Sequence, residues 1–324
     1  MRNFNKILRV VCLLALALVM CVTLITMGGS AASKKLVVGY ATKSATNQGW
    51  ILINNGAKQA AKDLGVDLIM LGPPKENDIA GQLAVVEDLI NRKVDALAIA
   101  PCDSTGIAPA VEKANRLGIP VVAVDTAIYG AKVTSFVATD NLKAAASAAK
   151  WVGEKLGGKG NIVMINGMIA QQTGKDRRDG FYNYIKEHYP NMKIVAEVPA
   201  EWQTEKALSG MEDALRANDQ IDAVFCAWDG GTIGALQALE AAKRKSKTLL
   251  VGFDAAPDAL KAMRQGKVDA DIAQFLFKIG YEGIATAVKA ARGEKVPERV
   301  DTGSMVVTPE NLEKFIKDNH IPVR

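Results

Sequence analysis

The chain has 324 residues, 49% of them hydrophobic and 23% charged, and a formal charge of +5. So small a charge, with no block of like sign, excludes an electrostatic nucleic-acid footprint, and two histidines without a second His at ligand spacing exclude a recognisable metal motif. A single hydrophobic core stops growing at about 250–300 residues, so two domains are expected.

Residues 1–32 read as an export signal. A basic opening (Arg2, Lys6, Arg9) leads into an apolar run from Val10 to Met27, then the small residues Ser30-Ala31-Ala32 suit cleavage before Ser33. Losing three positive residues and no negative ones leaves +2. An uncleaved anchor is the alternative, because about 18 apolar residues is where spanning begins. Lipid attachment at Cys21 fits less well, since Met20 is large and Val22 to Met27 would be left exposed. No later apolar run reaches spanning length, so a soluble protein secreted to the periplasm or cell exterior is expected. Of four cysteines, Cys12 and Cys21 belong to the signal; Cys102 and Cys226 end apolar runs, as small buried hydrophobes do. A disulfide between them is the alternative in an oxidising compartment.

From Lys35 onward, short β-rich apolar runs alternate with amphipathic stretches. The first half has strand candidates at Leu36 to Tyr40, Asp67 to Leu71, Ala96 to Pro101, Val121 to Thr126 and Ser135 to Asp140. Between them lie helices such as Asp78 to Arg92, where Ile79, Leu83, Val86, Leu89 and Ile90 recur at three- and four-residue steps. The second half repeats the scheme at Asn161 to Gly167, Lys193 to Val198, Ala223 to Asp229, Leu249 to Asp254 and Asp271 to Phe275. Continuous apolar strands mean parallel sheets buried on both faces, so the expected class is α/β with two doubly wound lobes. Ligands of such sheets sit at the carboxyl ends of the strands. Those ends carry Asp125, Trp228, Asp229, Asp254 and Gln274. Helix capping is the plainer use of an aspartate there; several converging from both halves favour a binding site.

Motifs for catalysis are missing. Gly157 to Gly160 precedes a strand rather than following one, and neither GxGxxG, GxxxxGK[ST] nor GxSxG occurs. His188 and His320 read as solvated surface residues, and no cofactor is expected.

The segments VVAVDT (Val121 to Thr126), FVATDN (Phe136 to Asn141), KDRRDGF (Lys175 to Phe181), VGFDAAPD (Val251 to Asp258) and DIAQ (Asp271 to Gln274), in this order and spacing, resemble the type I periplasmic sugar-binding proteins. That family is typified by the ribose-binding protein and related to the sensory lobes of LacI-type repressors. The resemblance covers the chain beyond the signal. It implies a three-strand hinge near Val137 to Asn141, Gln274 to Phe275 and Val300 to Gly303, dividing the chain into lobes at 33–139 plus 275–301 and 140–274 plus 302–324. The C-terminal helix from Pro309 to Asn319 then needs no domain of its own. The resemblance further implies a cleft built from Lys43, Asn47, Trp50, Asp125 and Thr126 of the first lobe, Lys175, Trp202, Trp228 and Asp254 of the second, and Gln274 at a crossing. Arg177 is read as structural, and Trp151, the one tryptophan off this set, as helix packing.

Three of the chain's four tryptophans thus fall in the implied cleft. Sugar-ring C–H faces stack on aromatic planes while the hydroxyls need charged and amide partners. The ribose-binding member has arginine at the positions of Thr126 and Lys175 and asparagine at that of Trp228, which weakens planar recognition of adjacent hydroxyls and argues against ribose. The first loop, Ala41 to Trp50, is also longer here. The resemblance implies a monomeric, non-enzymatic substrate-binding protein of an ABC importer, delivering a sugar to a permease and shared, in some members, with a chemoreceptor. Lys43 and Lys175 keep open an acidic ligand such as a sugar acid or sugar phosphate; a cyclitol, a signalling molecule or an enzyme on the same fold are further readings. A transcriptional regulator is disfavoured, because an export signal stands where a helix-turn-helix would.

Overall fold

A computed structural model describes residues 35–45 and 47–323; the segment read from the sequence as an export signal, with Cys12 and Cys21, lies outside the described residues. The elements run β1 (Val37–Ala41), α1 (Gln48–Leu64), β2 (Asp67–Leu71), α2 (Ile79–Asn91), β3 (Ala96–Ile99), α3 (Ala108–Arg116), β4 (Val121–Val124) and β5 (Ser135–Ala138). Then follow α4 (Asn141–Lys155), β6 (Lys159–Asn166), α5 (Gln172–His188), β7 (Asn191–Pro199), α6 (Thr204–Ala217), β8 (Ala223–Cys226), α7 (Asp229–Ala241) and β9 (Leu249–Asp254). The chain ends with α8 (Pro257–Arg264), β10 (Ala270–Gln274), α9 (Leu276–Ala291), β11 (Arg299–Asp301), β12 (Ser304–Val307) and α10 (Leu312–Asp318). Each apolar run read as a strand from the sequence is one.

Two six-stranded sheets result, ordered β11-β5-β4-β3-β1-β2 and β12-β10-β9-β8-β6-β7. All pairings are parallel except β10 with β12. Both sheets are covered on both faces, which is why β3, β4 and β8 consist wholly of buried apolar residues. On the first sheet, α1 and α9 pack one face through Ile53, Ala57, Ile279 and Ile284, and α2 with α3 the other through Val86, Leu89 and Val111. On the second, α6, α7, α8 and α10 share one core, and α4 with α5 form the other around Ala148, Val152, Phe181 and Ile185. Cys102 and Cys226 are buried free thiols.

The chain passes from one sheet to the other three times: between β5 and α4, at Phe275 between β10 and α9, and at Thr302-Gly303 between β11 and β12. Two of these strands are tied together where they cross, Thr139 Oγ1 lying 3.3 Å from Thr302 Oγ1.

Helices α1 and α9 meet with their backbones touching. A Cβ on Gly56 would fall 1.9 Å from the Phe277 carbonyl oxygen, and one on Gly280 would fall 1.8 Å from that of Ile53. Neither carbonyl can retreat without parting the helices. α9 is also the segment that returns the chain to the first lobe, so this contact holds one crossing in place.

A second device fixes the turn after β9. Asp229 and Asp271 are buried; Asp229 Oδ2 accepts from Ala256 N at 2.6 Å and Asp271 Oδ1 from Ala255 N at 2.9 Å. Their other oxygens, Asp229 Oδ1 and Asp271 Oδ2, have no partner among the described residues and both press on Gly252, 2.7 and 2.4 Å from where its Cβ would be. One proton shared between the two carboxyls satisfies both oxygens. Burial first, then the neighbouring Asp271, raises Asp229; burial pushes Asp271 up to about 7. The turn so held carries Asp254 and Ala255 at φ of 117° and 56°.

Two expectations follow. Gly280→Ala should destabilise the protein by about 1–3 kcal/mol or more through overpacking, read as a lower denaturation midpoint; an unchanged midpoint would mean the helices part freely. Because the Asp229–Asp271 pair keeps its shared proton above the unfolded value of about 3.9, the native state binds more protons than the unfolded chain, and stability falls as pH rises from about 4 toward 7. Asp271→Asn keeps the acceptor for Ala255 N and adds a donor for Asp229, so its thermal midpoint should change less between pH 5 and pH 7 and lie a few degrees above wild type at pH 7. Parallel midpoint curves would rule out the shared proton.

Candidate ligand-binding cleft

The carboxyl ends of both sheets face one another across a cavity lined by residues of both lobes. Hydrogen bonds span the cleft: Ser104 N to Ala170 O at 3.2 Å, Gln172 N to Ser104 Oγ at 2.9 Å and Gln48 Nε2 to Asp258 Oδ2 at 2.7 Å. The lobes are therefore in their closed arrangement.

The first-lobe wall is organised by Lys43, which follows β1 and is buried. Its Nζ lies 2.6 Å from Thr126 Oγ1, 3.3 Å from Asp125 Oδ2 and 2.9 Å from Gln171 Oε1, the last reaching over from the other lobe. Gln171 in turn donates to Cys102 O at 2.9 Å and accepts from Trp202 Nε1 at 3.0 Å. Asp125 sits just past β4 at φ 65°, a left-handed conformation uncommon for a side-chain-bearing residue. Asn47 caps α1, its Oδ1 accepting from Gly49 N at 2.9 Å, so its amide nitrogen is the end that can serve a ligand. Trp50, in the first turn of α1, places its ring 5.3 Å from Lys43 Nζ.

The second-lobe wall is organised by Arg177 on α5, only 4% exposed. Its Nε donates to Asn141 Oδ1 at 2.8 Å, and its Nη1 to Ala227 O at 2.8 Å and Asp254 Oδ1 at 3.1 Å. The guanidinium stacks 4.1 Å over Phe253 and lies 5.7 Å from the Trp202 ring. Asp254 also accepts from Gln274 Nε2 at 2.7 Å; burial raises its pKa and Arg177 opposes the rise. Gln274 Oε1 is buried at the cavity without a partner among the described residues. A buried acceptor left unmet is costly, and a ligand hydroxyl would satisfy it. Trp202 and Trp228 meet edge to face, 5.4 Å apart at 88°.

Lys43, Asn47, Trp50, Asp125, Trp202, Trp228, Asp254 and Gln274 all line the cavity. Thr126 is buried just behind it, positioning Lys43. Lys175 is the exception: it is 62% exposed and pairs with Asp179 at 2.6 Å on the outer face of α5. The cation this helix gives the cavity is Arg177, which also holds the structural bonds to Asn141, Ala227 and Asp254. Two residues along a helix turn through about 200°, from one face to the other. The buried face of α5 was legible, since Phe181 and Ile185 follow Arg177 at steps of four. Glu76, Gln171 and Thr173 also line the cavity and are absent from the sequence reading; all three stand on loops or helix starts that no apolar period marks. Trp151 packs on the α4–α5 core, away from the cavity.

Among the described residues no cluster of His, Cys, Asp and Glu could hold a metal ion, and no helix is long and apolar enough to cross a membrane.

Residues 38–295 match the periplasmic binding protein domain family. The ribose import binding protein of Haemophilus influenzae is 33% identical over 279 residues, covering 86% of this chain and 94% of its own. Among solved structures, an ABC transporter periplasmic solute-binding protein from Actinobacillus succinogenes with bound D-allose aligns with a TM-score of 0.82 at 32% identity, over 86% of this chain and 100% of its own. A solute-binding protein from Bacillus halodurans with bound myo-inositol aligns with a TM-score of 0.81 at 29% identity, over 88% and 99%. With two parallel-sheet lobes closed on a polar, tryptophan-lined cavity, the chain belongs to the periplasmic binding protein domain family.

Proposed function

We propose that this protein is the substrate-binding component of an ABC importer, which captures a sugar or similar polyhydroxylated small molecule between its lobes and passes it to a permease. The observation that carries the reading is the composition of the cavity wall: a Lys43–Asp125 pair from one lobe, an Arg177–Asp254 pair from the other, the unmet Gln274 acceptor and three indoles around one cavity. Such a wall offers fixed donors and acceptors to hydroxyls and apolar planes to ring C–H faces. Relatives that carry ribose, D-allose and myo-inositol support the ligand class.

An acidic ligand is the weaker reading. Lys43 already meets three acceptors and Arg177 is neutralised by Asp254, while Lys175, which had suggested a second free cation, faces solvent. Catalysis is not part of the proposal, and the ligand should be recovered unchanged. Release requires the lobes to part, and the three crossings at 139–140, 275 and 302–303 are where the backbone would turn; Gly303, at φ 86°, suits such a bend. Export to the periplasm or cell exterior rests on the N-terminal segment.

A thermal-shift screen over D-allose, D-ribose, D-arabinose and myo-inositol tests this, since a ligand at 100 times its Kd adds about 2.7 kcal/mol of stability. Asp254→Asn should weaken binding of the best responder by about 2–5 kcal/mol, the loss typical when one partner of a buried charge pair is removed, whereas Lys175→Ala should leave Kd unchanged. Calorimetric titration showing equal losses in both variants, or none in Asp254→Asn, would move the site elsewhere.

A further inference from the structure

Four of the five charged side chains on the cavity wall are matched within the protein: Lys43 with Asp125, and Arg177 with Asp254. The fifth, Glu76, makes no ion pair with any described residue. It stands on the loop between β2 and α2, half-buried, and lines the cavity together with Trp50. The charged groups it feels are Lys43 and Asp125 from its own lobe and Asp254 from the other. Two of those three are carboxylates, and Lys43 already has its acceptors. A third negative charge on this wall has no cation of its own.

We propose that Glu76 is a specificity-determining residue of the cleft: in the closed form it meets the ligand as a neutral carboxyl that donates a hydrogen bond to a ligand oxygen, so that capture takes up one proton. The inference rests on the receptor reading above. Closure withdraws Glu76 from water and brings Asp254 toward it from the facing lobe; both effects favour the neutral acid. In the closed form burial, the largest influence, pushes Glu76 up to about 7, with Lys43 and the Trp50 side chain opposing and Asp125 and Asp254 adding to it. In the open form, solvated and parted from Asp254, the carboxyl returns toward its ordinary value of about 4.3. Affinity is then fullest below the open-form value, falls as pH rises through the interval between the two, and levels above the closed-form value. The Asp229–Asp271 proton does not enter, because both residues and the turn they hold belong to the second lobe and keep their contacts whether the cleft is open or shut.

The selectivity that results is for a ligand presenting an oxygen acceptor at Glu76. A deoxy analogue lacking that oxygen would leave the acid unpaired and be rejected.

The test is calorimetric titration of wild type, Glu76→Gln and Glu76→Ala with D-allose, D-ribose and myo-inositol at pH 5, 6, 7 and 8, each variant first checked for an unaltered thermal midpoint. For the probe that binds, Kd of the wild type should rise at least tenfold from pH 5 to pH 8. Glu76→Gln, which donates at every pH, should keep affinity within a few fold of the wild type at pH 5 and show no slope. Glu76→Ala should be weak and flat. A wild-type Kd that is constant with pH, or a Glu76→Gln variant that retains the wild-type slope, overturns the role of Glu76 while leaving the receptor reading intact. If no probe binds the wild type at any pH, the receptor reading falls and this role falls with it.

Discussion

Everything about the cleft depends on burying a guanidinium without leaving it unsatisfied. Arg177 is held by the Asn141 side chain, the Ala227 carbonyl and the Asp254 carboxylate while its flat face covers Phe253. These partners come from the start of α4 and the ends of β8 and β9, while Arg177 itself stands on α5. One side chain thereby fixes the geometry at which four elements of the second lobe converge. Removing a partner from such an arrangement leaves a charge with no water to turn to. The first lobe has an analogue in Lys43, whose ammonium draws together Asp125, Thr126 and, across the cleft, Gln171. Each wall thus matches its cation with a carboxylate of its own, and a ligand gains by meeting prepared donors and acceptors rather than by ordering them.

Strain supports the same site. Asp125, Trp202 and Asp254 all lie at positive φ, a placement that non-glycine residues adopt where surrounding contacts over-determine it. For Asp254 the contacts are visible: the backbone amides of Ala255 and Ala256 are pinned by Asp271 and Asp229, so the turn cannot relax. The deepest polar groups of the second lobe therefore work at one remove, by holding the strand end whose carboxylate faces the cavity.

How much of this the sequence disclosed follows from what leaves a local trace. Strands buried on both faces must be apolar throughout, so runs such as ALAI and AVFC marked themselves, and polar residues ending those runs, Asp125, Trp228, Asp254 and Gln274, marked the cavity. The helix α5 misled because KDRRDGF offers three cations within four positions, and the choice between Lys175 and Arg177 depends on which face of the helix turns inward. Gln171 and Glu76 left no trace at all. Their place at the cavity comes from the packing of one lobe against the other and from the path of the loop after β2, neither of which any spacing in the chain encodes. The pairing of Asp229 with Asp271, 42 positions apart in sequence, is likewise a product of neighbouring strands β9 and β10 and the helix above them.

Closure of two rigid lobes on a hydroxylated ligand is the central claim, and the shape of the molecule in solution tests it most directly. Small-angle X-ray scattering should be recorded with and without saturating D-allose, D-ribose or myo-inositol, using whichever binds. A smaller radius of gyration in the bound state, with scattering that matches the closed arrangement, is the expected result. Binding with no change in the scattering curve would contradict capture by closure.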